Sequence, residues 1–229
     1  MTPEIEMVVV PPDQWASRAA DVLEVAIRSS IGERGQCVVG ISGGSTPNEV
    51  FVLLSTRDLE WDQVTLVQVD ERIAAIGSDA RNLTGQLEAF TDLPVRWLPL
   101  PVAAPISEGI ADFIDGLHLA AGSPPAIDVL HLGLGSDGHT ASLVPGDPVL
   151  DVLDAEVAIT GVYKGNQRIT LTRPVLDNAR LVVWLVKGSS KAPALVQMRQ
   201  HDSAIPAGLL RPARSIVVAD TLAAPDSNG

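Results

Sequence analysis

Asp137 and His139, separated by a single glycine, lie in the run Ile127 to Gly146, IDVLHLGLGSDGHTASLVPG, where an apolar strand gives way to a glycine-rich turn. A buried strand that ends in such a turn presents the next few residues at the carboxyl edge of a sheet, where open α/β folds hold their ligands. Histidine is the side chain whose ordinary pKa lies nearest neutrality, so an imidazole placed there is a candidate general base or acid. The structural alternative is an Asx-type turn at Asp137-Gly138, with His139 capping the next helix.

Other loops carry groups suited to an anion. In SGGSTPNE (42–49), Thr46 with Glu49 fits a capping box and Pro47 falls at the first helical position. That leaves Gly43, Gly44 and Ser45 with free backbone N–H groups before a helix N-terminus, a setting that favours a phosphate or a developing oxyanion. Gly40-Ile41-Ser42-Gly43-Gly44 also matches the G-x-S-x-G elbow of serine hydrolases. The capping signals start the helix too late for that elbow, and His201, the only histidine well downstream, has no triad aspartate before it. VQVDERIA (67–74) ends a strand with Asp70, Glu71 and Arg72. The two carboxylates point to opposite faces, so one at most addresses a given pocket, and Arg72 offers a planar fork of donors. KGNQRITLT (164–172) and VKGSSKA (186–192) add Lys164, Arg168, Lys187 and Lys191, and the Gly188–Lys191 turn opens a helix.

The elements that must position these loops alternate between strand and helix. Strands are expected at 7–10, QCVVGIS (36–42), 64–70, 127–134, 155–160, 168–172, 181–187 and 214–219. Helices are expected over 12–31, NEVFVLL, 82–90, ISEGIADFIDGLHLA, 174–179 and 190–200, with Pro94 to Pro105 as loop. The order implies a mostly parallel sheet with right-handed crossovers, flanked by helices. No repeat or long linker divides the 229 residues, which suits one α/β domain over 1–229, and APDSNG at the end reads as frayed.

Composition narrows the classes of function. Hydrophobic residues make up 46% of the chain and aromatics 3%, as expected for strands covered on both faces by Val, Leu, Ile and Ala. A net charge of −12 is the wrong sign for holding a nucleic-acid backbone, though a small anion needs only a few local cations. No apolar run is long enough to span a membrane and no signal-peptide pattern opens the chain, which reads as soluble and cytoplasmic. Cys37 alone allows no intrachain disulfide and reads as a core residue, while His118 and His131 read as structural.

Taken together, GISGGSTP, VDERIA, SDARN, GLGSDGHTASLVPG, RITLTRPVL and VKGSSKA resemble the 6-phosphogluconolactonase family, in its order, from about residue 36 to 195. Gln68 departs from the aromatic residue common before V-DER, Arg173 replaces a usual apolar residue before Pro174, and SDARN varies the loop. The resemblance implies a modified Rossmann-like α/β fold shared with sugar-phosphate isomerases. It also implies hydrolysis of 6-phospho-D-glucono-1,5-lactone in the oxidative pentose phosphate pathway, without metal or cofactor. In that reading the partner is a small sugar-phosphate lactone, His139 takes a proton from the attacking water, and Asp137 orients the imidazole. The Gly43, Gly44 and Ser45 amides, Asp70, Arg72, Arg168 and Lys191 hold the substrate. Glucosamine-6-phosphate deaminase, a relative with a D-G-H turn, continues into F-N-E-P, whereas Val144 stands here before Pro145. Sensor domains of sugar-phosphate-responsive repressors share the fold but carry an N-terminal helix-turn-helix, for which there is no room before the first strand. Monomer and homodimer are both compatible with the sequence.

Overall fold

The computed structural model describes residues 4–225, so most of the APDSNG segment lies outside the described residues. Along the chain run β1 (Glu4–Val10), α1 (Trp15–Arg34), β2 (Cys37–Ile41), α2 (Ser45–Ser55), β3 (Val64–Gln68) and β4 (Asp70–Arg72). They are followed by α3 (Asn82–Ala89), β5 (Arg96–Leu98), α4 (Ile106–Ala121), β6 (Val129–Gly133), β7 (Val157–Tyr163) and β8 (Asn166–Leu171). The remainder comprises α5 (Arg173–Asp177), β9 (Val182–Val186), α6 (Ala192–Arg199), α7 (Pro206–Leu209) and β10 (Arg214–Asp220). Seven strands form a parallel sheet in the order β1-β10-β9-β6-β2-β3-β5.

Strand alternation builds two cores from one sheet. Val38, Leu130, Leu132, Val182, Trp184 and Val217 face one side, against Phe113 and Leu117 of α4 and Leu195 and Met198 of α6. Cys37, Val39, Ile41, Leu66, Val183 and Val218 face the other, against Trp15 and Leu23 of α1 and Phe51 of α2. Both faces of β2 and β9 are buried throughout, which explains their unbroken apolar sequences. Each large apolar side chain in such a core contributes about 1.5–3 kcal/mol of burial.

The parallel sheet and its flanking helices match the expectation, and three local features correct it. The segments expected as strands at 155–160 and 168–172 do not join the parallel sheet; as β7 and β8 they form a separate antiparallel sheet with β4. Lys164 and Gly165 make the difference, because their φ values of 49° and 85° close the two-residue turn that right-twisted hairpins favour. The expected strand at 64–70 is broken at Val69, whose N–H donates to Ile41 O at 3.1 Å while its carbonyl accepts from Leu171 N at 2.8 Å. Val69 thus passes the chain from one sheet to the other and sets Asp70 over the sheet edge. The proline-rich segment expected as loop contains β5, an edge strand beside β3.

His131 lies in β6, fully buried, with Nδ1 accepting the Ser42 amide at 3.2 Å, Phe51 edge-on, and Nε2 without a partner. Burial pulls its pKa down to about 3, so the folded protein keeps it neutral. The unfolded chain takes up that proton near pH 6.5. Stability from this group is therefore complete above about pH 6.5 and is lost as pH falls toward 3, at up to about 1.4 kcal/mol per pH unit. Denaturant titrations between about pH 6.5 and 4 should show a shallower loss of stability for His131→Gln than for the wild type. Parallel slopes would contradict a buried neutral histidine.

Candidate active site

The sheet order places a switch point between β2 and β6: from β2 the chain proceeds to β3 on one side, and from β6 it proceeds through β7 and β8 to β9 on the other. Ligands of open α/β sheets sit where connections diverge in this way. A cleft of about 350 Å³ opens there. Ser42, Gly43 and Gly44 after β2, Gly133 and Gly135 around the end of β6, and Lys187 and Lys191 after β9 line it. Asp70 and Arg72 reach it from β4, and Lys164 and Arg168 from the β7–β8 hairpin.

His139 stands at the wall of the cleft. Its Nδ1 is 2.5 Å from Asp137 Oδ1, and the Tyr163 hydroxyl donates to Asp137 Oδ2 at 2.6 Å, itself 3.3 Å from the same Nδ1. Burial pushes the Asp137 carboxyl up, but the hydrogen bonds from Tyr163 and His139 outweigh it and hold the group well below the usual carboxylate range. An ionised Asp137 only accepts, so the imidazole proton belongs on Nδ1 and the Nε2 lone pair is free. A tight turn makes this possible: Gly138 N–H donates to Gly135 O at 3.0 Å, with Gly138 at φ 79°. A Cβ at Gly135 would collide with both His139 Nδ1 and Asp137 Oδ1. The Asx-turn reading holds in part, since Asp137 Oδ1 also accepts the His139 amide at 3.3 Å.

Five of the chain's 16 Lys and Arg residues, Arg72, Lys164, Arg168, Lys187 and Lys191, line the cleft, against the single carboxylate of Asp70. The field there opposes the net charge of −12. Arg168 is 5% exposed and has no carboxylate within ion-pair distance among the described residues; its Nη1 donates to Ser142 Oγ at 3.4 Å and its Nε has no partner. Burial, reinforced by Arg72, pulls its pKa down, while Asp70 opposes. Ser142 Oγ in turn donates to Asp70 Oδ2 at 2.8 Å, and burial pushes that carboxyl up. Lys191 is likewise held below the usual lysine range, by burial and then by Lys164. Such groups gain from an anion that replaces lost water. Lys187 is engaged with Glu49 at 2.6 Å, and Arg72 with Ala80 O at 2.6 Å.

The glycine loop differs from its expected form. Helix α2 starts at Ser45 with Gly44 as the N-cap at φ 125°, so the Thr46–Glu49 capping box is not made and Glu49 turns to Lys187. Only glycine readily takes that φ, which brings the helix in earlier than the capping signals suggest. Pro47, third in the helix, has no N–H to leave unsatisfied, and the amides of Gly44, Ser45 and Thr46 form the free helix end. A Cβ at Gly43 would collide with the Asn82 carboxamide. Ser42 Oγ is buried without a partner, so the serine-hydrolase arrangement is not assembled, and His201 lies elsewhere, beside Trp184 and Met198.

Asp70 and Glu71 divide as expected. Glu71 is fully buried and faces away from the cleft, accepting from the amides of Arg72 and Asn82 at 2.7 Å and of Leu83 at 3.0 Å. Tyr163 and Ser142 are the polar groups that the loop patterns missed. Tyr163 is the only tyrosine in the chain and immediately precedes Lys164-Gly165, a hairpin-turn signal that would have brought it to the cleft. A second cleft, of about 370 Å³, runs along α1 and is lined by residues at the amino ends of β6, β9 and β10, away from the carboxyl edge that holds His139. Its buried carboxylate, Asp128, is already paired with Arg34 at 2.9 Å and Arg180 at 3.2 Å.

Fold and cleft together define an α/β protein with a cation-lined cleft at the switch point of a parallel sheet. Residues 11–219 match the family described as glucosamine-6-phosphate isomerases/6-phosphogluconolactonase, and the chain belongs to that family. It is 34% identical over 204 residues to a 6-phosphogluconolactonase of Synechocystis sp., covering 85% of this chain and 84% of the relative. It is 33% identical over 222 residues to one of Rattus norvegicus, covering 88% and 84%. A 6-phosphogluconolactonase structure from Thermotoga maritima matches with a TM-score of 0.86 at 21% identity over 95% of this chain and all of that one, a likeness of fold.

Proposed function

We propose that this chain hydrolyses 6-phospho-D-glucono-1,5-lactone to 6-phosphogluconate, as the cytoplasmic lactonase of the oxidative pentose phosphate pathway. The observation that carries the reading is the Asp137–His139 pair at the wall of a cleft whose other charged groups are almost all cations. His139 Nε2 takes a proton from water as the oxygen attacks the lactone carbonyl, and returns it to the ring oxygen as the ester bond breaks. The free amides at Gly44 and the start of α2 stabilise the oxyanion or hold substrate. Arg72, Arg168 and Lys191 receive the phosphate and sugar oxygens, and Asp70 accepts from a sugar hydroxyl. Deamination is disfavoured because Val144, in place of the glutamate of F-N-E-P, is buried and apolar.

Lys191→Ala should raise KM for the phosphorylated lactone about tenfold, the worth of one charge-assisted contact, with little change in kcat. An unchanged KM would return Lys191 to the surface. The function is tested by comparing 6-phosphogluconolactone with unphosphorylated glucono-1,5-lactone, and by measuring ammonia from glucosamine 6-phosphate. The expected result is strong preference for the phosphorylated lactone and no ammonia. Ammonia release, or indifference to the phosphate, would overturn the reading.

A further inference from the structure

Tyr163 closes β7 directly before the Lys164–Gly165 turn, and the hairpin that carries it is pinned on both sides of the tyrosine. A bulge between Ile159 and Val162 lets the Gly161 amide donate to Asp147 Oδ2 at 2.8 Å, and the Arg168 amide donates to Thr160 Oγ1 at 3.2 Å. Two cations pack on the tyrosine ring, with Lys164 Nζ 4.9 Å and Arg168 Cζ 5.0 Å from its centroid. From this fixed ring the hydroxyl reaches Asp137 Oδ2 at 2.6 Å.

We propose that Tyr163 is a positioning residue for the chemistry at His139, its hydroxyl fixing the plane of the Asp137 carboxylate and thereby the imidazole proton on Nδ1. The proposal rests on the reading of His139 as the base. The terminal torsion of an aspartate is broad, so donors at Oδ1 alone leave the plane of the carboxylate loose, whereas a donor at Oδ2 fixes it. Small displacements of a catalytic group are costly in rate, since the reacting atoms must be aligned within a fraction of an ångström. Burial and then the neighbouring carboxylate push the phenol above its ordinary range, which keeps it protonated and donating. Without that hydrogen bond, the carboxylate is free to turn away from Nδ1 and no longer selects that tautomer.

The groups that face this cluster are Asp137 and His139 from the turn after β6, Lys164 from the hairpin tip, Arg168 from β8 and Lys191 from the turn after β9. Tyr163→Phe keeps the ring against both cations and removes only the hydroxyl. Its expected kcat is about tenfold lower with KM unchanged, the worth of one hydrogen bond to a charged group. The imidazole nitrogen resonances of His139, assigned by their loss in His139→Ala, report the tautomer directly: in the wild type they should mark the proton on Nδ1, and in Tyr163→Phe a mixture of the two tautomers. That spectrum needs no turnover, so it reads the Tyr163 contact even if the chain does not hydrolyse the lactone. Nitrogen resonances identical to wild type would overturn the proposal, whatever happens to kcat. A rise in KM alone would overturn it too, by making Tyr163 a substrate contact.

Discussion

Replacing His139 with alanine is expected to lower kcat for the phosphorylated lactone by about 10²–10⁴-fold, the range that general acid–base catalysis commonly supplies. KM should change little, because the cations proposed to hold the anion, Arg168 of β8 and Lys191 after β9 among them, are separate side chains on other elements. The residual rate would come from the amides of the α2 end and from binding, neither of which needs the imidazole. Asp137→Asn should fall in the same direction, since an amide can donate to Nδ1 and shift the proton to Nε2, which then cannot act as a base. Steady-state kinetics on folded His139→Ala decide the matter. A kcat within a few-fold of wild type would remove His139 from the chemistry.

Glu71→Gln is expected to destabilise the fold by about 3–5 kcal/mol, the cost of breaking a buried ionic network from one side. Beyond its three amide donors, Glu71 accepts from Gln68 Nε2 at 3.2 Å and pairs with Arg81 at 3.2 Å, both buried. A glutamine amide would aim an N–H₂ at donors and leave Arg81 without a countercharge. In a chain of 229 residues this corresponds to a fall in Tm on the order of 10 °C. Thermal unfolding of the variant should show it, and a shift of only a degree or two would mean that Glu71 is not the anchor of α3. The same network accounts for Gln68, which departs from the aromatic residue of the resemblance. Its Oε1 accepts the Leu100 amide at 3.0 Å and its Nε2 donates to Gln86 at 2.9 Å, so a buried polar bridge replaces an apolar plug.

The cleft was legible wherever a strand ended in residues with special backbone or charge. Gly43 and Gly44, the D-G-H turn and Lys191 all come after buried apolar strands, and parallel pairing carries their loops to one edge. What stayed hidden depends on contacts between segments distant in sequence. Glu71 reads only as the second of two carboxylates at a strand end until Asn82 and Arg81 are folded over it. Tyr163 comes within reach of Asp137 only because Lys164-Gly165 folds β8 back on β7, and the alternation of strand and helix favoured parallel pairing instead. The early start of α2 hinged on one glycine torsion, whereas the capping-box pattern assigned Glu49 a partner that it exchanges for Lys187.

The most direct test is the rate at which freshly generated 6-phosphogluconolactone disappears in the presence of the wild-type protein, after subtraction of spontaneous hydrolysis. A saturable acceleration is expected, with one equivalent of 6-phosphogluconate formed per lactone consumed. A rate indistinguishable from buffer at micromolar protein would contradict it.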